Sequence, residues 1–124
     1  DTFTWTAIMF NTILSMLRGG GNIPNISGKE FEALMREHSD ALVLDVRTAG
    51  EYHAGHIPGS INHDITQRDF AERVEQYEKS RPVLLYCRSG SRSHHAANLM
   101  LRNGFAQVYN LASGLHDWEQ PLER

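Results

Sequence analysis

Cys87 is the only cysteine in a chain of 124 residues, and its neighbours are those that would make a thiol reactive. It ends the apolar run of Val83, Leu84, Leu85 and Tyr86, and is followed by Arg88, Ser89, Gly90, Ser91, Arg92 and Ser93 before a helix-like stretch. Glycine and serine let a backbone curl tightly, so that several amide N–H groups can point at one spot beside a helix N-terminus and form an anion nest. The nest, the helix dipole and the charges of Arg88 and Arg92 would all favour a thiolate at Cys87. A free thiol with a pKa near about 8.5 is only a few per cent ionised at neutral pH, whereas a fall of about two units makes most of it nucleophile. The same cradle would bind an anionic substrate. Position alone fits a buried filler cysteine equally well; the glycine loop, the paired arginines and the helix start together favour the reagent.

The elements around this loop must place it at a sheet edge. Residues 41–46 (ALVLDV) and 82–87 (PVLLYC) are continuous apolar runs of strand length, as strands buried on both faces require. A strand is also expected at residues 107–111. Ser27 and Glu30 have capping-box spacing ahead of Phe31, Leu34 and Met35, which predicts a helix over residues 28–37. Further helices are expected at 49–54, 66–77 and 91–102, with a turn at 55–60. Strands alternating with helices imply an α/β fold with a mostly parallel sheet. In such a fold Cys87 sits at the carboxyl edge of the strands, where open α/β sheets bind ligands.

Residues 2–17 lack any charge, yet Thr, Asn and Ser dilute them, and the stretch is short of a bilayer span. They read as a packing helix or lead segment, with a membrane or oligomer contact as the alternative. Three consecutive glycines, Gly19 to Gly21, form a flexible joint. The expected organisation is a lead segment at 1–21 and one domain at 22–124.

Twelve basic against 15 acidic residues give a formal charge of −3, and no sustained positive field that would suit nucleic acid. A single cysteine excludes an intramolecular disulfide and mildly favours a reducing compartment, hence the cytoplasm, while the uncharged lead leaves room for a periplasmic or membrane-attached protein. Among seven histidines, His53 lies near His56 and His94 adjoins His95, with no third ligand at a recognised spacing, so no metal is expected. Asp45, Arg47, Glu51 and His56 read as structural groups behind the loop. Arg47 and Glu51 have the spacing of a local ion pair, and His56 that of a hydrogen-bonded turn residue. Trp118 is read as a core anchor for the last helix.

Three stretches resemble the rhodanese family of single-domain sulfurtransferases: YCRSGSRS (86–93) its active-site loop, LDVRTAGEYHAGHIPGSIN (44–62) its first signature, and NLASGLHDWEQP (110–121) its C-terminal one. The resemblance implies a three-layer sandwich, with a mostly parallel sheet of five strands between helices. It implies Cys87 as nucleophile, with Arg88, Ser89, Gly90, Ser91, Arg92 and Ser93 as the substrate-binding loop. The implied reaction moves a sulfane sulfur from thiosulfate or a related anionic donor, through a Cys87 persulfide, to cyanide, a thiol or a sulfur-acceptor protein, without a cofactor. One departure is Ser113 before Gly114, where the family usually has two glycines. Two alternatives stay open: a binding or sulfur-relay module, and a cysteine phosphatase or arsenate reductase of the same architecture. The latter place arginine six positions after cysteine, whereas here Arg92 is five positions on and Ser93 is sixth. The shorter loop suits a sulfur atom better than a phosphate.

Overall fold

The computed structural model describes residues 23–124; the lead segment expected at 1–21 lies outside them. Five parallel strands form one sheet: β1 (Asn25–Ile26), β2 (Leu42–Asp45), β3 (Ile61–Asn62), β4 (Val83–Tyr86) and β5 (Val108–Leu111), in the order β1-β5-β4-β2-β3. Every residue of β2, β4 and β5 is buried, which accounts for sequences that are apolar apart from Asp45 and Asn110: each strand has a packed layer on both faces.

Helices α1 (Gly28–Glu37), α2 (Ala49–Ala54), α3 (Phe70–Val74) and α4 (Ser91–Arg102) alternate with the strands, and a 3-10 turn at Gly114–Asp117 comes after β5. One face carries Phe31 and Leu34 of α1 against Val43, Leu84, Tyr86 and Tyr109. The other carries Phe70 and Val74 of α3 and Ala96, Ala97 and Met100 of α4 against Leu42, Leu44, Val83 and Leu85. Helix α1 starts with a complete capping box: the Glu30 amide donates to Ser27 Oγ, and the Ser27 amide to Glu30 Oε1.

The helix expected over 66–77 is only α3, five residues long. Asp64 accepts from the amide and hydroxyl of Thr66, a local turn that competes with helix. The Ile65 amide is tied to the Val46 carbonyl and so holds the chain against the sheet. The two-residue edge strands β1 and β3 are too short for any periodicity to register, and the sequence does not predict them. The last helix expected after β5 is a 3-10 turn instead, beyond which Trp118 meets Phe31 edge-on at 6.1 Å. Among the described residues no helix is long and apolar enough to cross a membrane.

Candidate active site

Strand β4 delivers Cys87 to the carboxyl edge of the sheet, and four residues later α4 begins. Gly90 closes the loop at φ 98°, a left-handed conformation at the helix N-cap. A side chain there would overlap the Ala112 carbonyl oxygen. Asn110 of β5 donates from Nδ2 to the Gly90 carbonyl at 3.1 Å, fixing the loop from the side. Gly114, at φ 58°, packs so closely under Cys87 and Arg88 that a Cβ would strike both carbonyl oxygens. The Leu115 amide donates to the Cys87 carbonyl at 3.1 Å. Ser113 is exposed at φ −106°, so the fold needs glycine only at the second position of that pair.

Cys87 is buried, and two groups donate to its sulfur: the Gly90 amide at 3.1 Å and the Ser93 hydroxyl at 3.4 Å. The same hydroxyl can turn to the Gly90 carbonyl at 3.2 Å, so its proton serves whichever acceptor is more negative. Burial pushes the thiol pKa up. The Ser93 hydroxyl and the amides of Ser93, Ser89 and Gly90 outweigh it, and the net pKa falls below that of an ordinary thiol. Arg88 and Ser89 are exposed, so the loop reaches solvent one residue beyond the sulfur.

The two loop arginines differ. Arg92 holds Glu51 in a bidentate pair, Nη1 to Oε1 at 2.8 Å and Nη2 to Oε2 at 2.9 Å, with both side chains about two-thirds buried. Glu51 also caps α2 by accepting from the Thr48 amide and hydroxyl. The Arg92 hydrogen bonds, against the opposing effect of burial, hold the Glu51 carboxyl down at about 2. The expected pairing of Arg47 with Glu51 is therefore corrected. Arg47 is buried and turns to Asp45, with Nη2 to Oδ2 at 2.6 Å, and to the Gly55 carbonyl at 2.7 Å. The two capping-box glutamates thus differ in reach: Glu30 bonds to its own helix start, whereas Glu51 extends from its cap to the cysteine loop.

Behind this lies a second buried polar cluster. The Tyr86 hydroxyl receives the Ile57 amide at 3.0 Å and lies 3.0 Å from Ser60 Oγ. Burial, with nearby Asp45, drives its pKa far above the usual phenol value. His56 stacks on Tyr52 with ring centroids 3.7 Å apart, and its Nδ1 lies 2.8 Å from the Tyr52 carbonyl. Asn62 Nδ2 donates to the carbonyls of Asp45 and Arg47. On the other side of β2, His63 Nε2 lies 2.7 Å from the Tyr77 hydroxyl. The supporting roles of Asn110, Gly114, Tyr86, Ser60 and His63 are ones that sequence reasoning missed. A polar residue inside an otherwise apolar strand was the available signal for Asn110. Of the adjacent histidines, His94 faces Asn25 at 3.1 Å and His95 is exposed. Among the described residues no three His, Cys, Asp or Glu side chains gather as a metal site.

The described surface has an apolar cavity of about 490 Å³, between α1 and the chain's end, lined by Met35, Ile57, Pro58, Trp118 and Pro121. It does not include the cysteine loop.

The model of the rhodanese-like domain family matches residues 27–121, three motifs included. The chain belongs to the rhodanese-like family. This rhodanese-like chain is 33% identical over 102 residues to the provisionally named sulfur carrier protein YrkF of Bacillus subtilis, covering 82% of this chain and 54% of that one. It is 31% identical over 83 residues to thiosulfate sulfurtransferase GlpE of Pseudoalteromonas translucida, covering 67% of this chain and 77% of the relative. The crystal structure of a rhodanese-like domain protein from Staphylococcus aureus superposes with a TM-score of 0.71 at 24% identity, over 82% of this chain and 97% of that one, and so shares the fold. The chain spans about half the length of YrkF, and 32% of a tRNA uridine(34) hydroxylase of Chlamydia felis that it matches at 36% identity.

Proposed function

We propose that this rhodanese-like domain is a sulfurtransferase that carries a sulfane sulfur as a persulfide on Cys87. The observation that carries the reading is the buried sulfur at the start of α4, with the Gly90 amide and Ser93 hydroxyl directed at it and its pKa lowered. A thiolate in that position attacks the outer sulfur of a donor, the bond from that sulfur to the leaving group breaks, and the electron pair departs with the leaving group. With thiosulfate, the products are the Cys87 persulfide and sulfite. A thiophilic acceptor then takes the outer sulfur and returns Cys87 as thiolate, so two displacements replace one direct transfer.

The loop amides would hold the persulfide anion as they hold the thiolate. Arg88, exposed beside the sulfur, would meet the charged end of the donor. Ser89, Gly90, Ser91 and Ser93 shape the nest, and Asp45, Arg47, Glu51 and His56 hold the wall behind it. No cofactor enters these steps, because sulfur is both nucleophile and cargo. The name of YrkF supports a protein acceptor beside a small thiol or cyanide. The lone thiol supports a reducing compartment such as the cytoplasm.

The test is thiosulfate-to-cyanide transfer by the purified chain, followed as thiocyanate. Cys87→Ser should lower turnover at least about a thousandfold while the chain stays folded. Turnover in the folded variant within about tenfold of the parent would overturn the assignment.

A further inference from the structure

The loop offers two arginines, but the fold leaves them in different electrostatic states. Arg92 commits the Nη1–Nη2 edge of its guanidinium to both oxygens of Glu51. Asp64, on the segment after β3, lies within electrostatic reach of the same guanidinium. Arg88 is exposed and forms no ion pair among the described residues. Two cations at the loop are thus set against two carboxylates. The Asp45–Arg47 pair behind them is internally neutral.

This balance matters because the attacking sulfur is itself an anion. Bringing up dianionic thiosulfate adds two like charges, which a site tolerates only under a net positive field. Glu51 occupies the Nη1–Nη2 edge, one of the flat guanidinium edges that could take two sulfonate oxygens at once, and neutralises the charge behind the other. A protonated alkyl persulfide carries no such penalty.

On the reading that Cys87 carries the persulfide, we propose that Glu51 is a specificity-determining residue: by holding Arg92 in a bidentate pair it disfavours thiosulfate and turns the site towards persulfide donors. The favoured step is attack of the Cys87 thiolate on the outer sulfur of R–S–SH. A bond forms between the Cys87 sulfur and the outer sulfur, the donor's S–S bond breaks, and R–S⁻ leaves with the electron pair. Charge is conserved at one negative unit, no oxidant or reductant is consumed, and the departing thiolate can be protonated by water.

The test compares thiosulfate, a dianion, with mercaptoethanol persulfide, which carries at most one negative charge, in the parent and in Glu51→Gln. Glutamine keeps the hydrogen-bonding shape of a capping box and removes the charge that occupies Arg92. The ratio of kcat/KM for thiosulfate to that for the persulfide should rise about tenfold, through a lower KM for thiosulfate, as expected for one freed charge in partly wet surroundings. Adding Arg92→Gln to that variant should abolish the gain. If Glu51→Gln does not fold, Glu51→Asp retracts the carboxylate from Arg92 and should shift the ratio in the same direction. An unchanged or lowered ratio in a folded variant would overturn the proposal, as would a gain that survives loss of Arg92. Mass spectra of the same samples separate the two readings. A Cys87 persulfide with an unchanged ratio overturns only the role of Glu51, whereas absence of the persulfide from both donors overturns both.

Discussion

Two buried polar clusters lie at the same edge of the sheet, and they differ in where their hydrogen bonds end. Around Tyr86 the bonds close on one another: Arg47 is taken by Asp45 and Gly55, Tyr86 by Ile57 and Ser60, and Asn62 by two carbonyls. Around Cys87 they converge on one atom that has no structural need of them: the Gly90 amide and Ser93 hydroxyl both point at a sulfur that could have been buried as an apolar group. A closed network holds a shape, whereas a convergent one stabilises charge on its target. That difference in direction separates the wall of this site from its reagent, although both are buried.

The sharpest way to break the comparison is to open the closed cluster. Arg47→Ala leaves Asp45 buried without its partner and should cost about 3–5 kcal/mol of stability, read as a lower denaturation midpoint. The Cys87 thiol pKa of whatever remains folded should change little. A loss below about 1 kcal/mol, or a large change in thiol pKa at unchanged stability, would erase the distinction between wall and reagent.

Ser93→Ala probes the convergent cluster and should have the smaller, purely chemical effect. It removes one donor that favours the thiolate, so the Cys87 pKa should rise. The rate of persulfide formation follows the thiolate fraction, which increases as pH rises through the thiol pKa. The variant should therefore be slower by up to about tenfold below the parent's pKa and equal to it once pH exceeds both values. A uniform loss at every pH would mean that Ser93 acts on something other than the thiolate.

The sequence disclosed the parts of this fold that repeat or bury. Strands β2, β4 and β5 are apolar apart from Asp45 and Asn110 because both their faces are covered, and α1 begins at a capping box that can be read from Ser27 and Glu30 alone. The two-residue strands β1 and β3 exist only through pairing with a neighbour, so nothing local announces them. Helix α3 is shorter than its pattern predicts because the Asp64 turn and the Ile65 tie to the sheet override that pattern. In the site, loop closure around Cys87 followed from the types of its residues. Which cation Glu51 would choose did not: Arg47 satisfies the local spacing, but Arg92, 41 positions away, supplies the pairing. Long-range partners of a charged side chain depend on tertiary placement and leave no local pattern.

Whether Cys87 holds the transferred sulfur is read from the intact mass of the chain after brief exposure to a sulfane donor, thiosulfate and mercaptoethanol persulfide in turn, with and without later cyanide. A gain of about 32 Da that maps to Cys87 and disappears with cyanide is the predicted result. An unmodified Cys87 with both donors, in a chain that still releases thiocyanate, would contradict it.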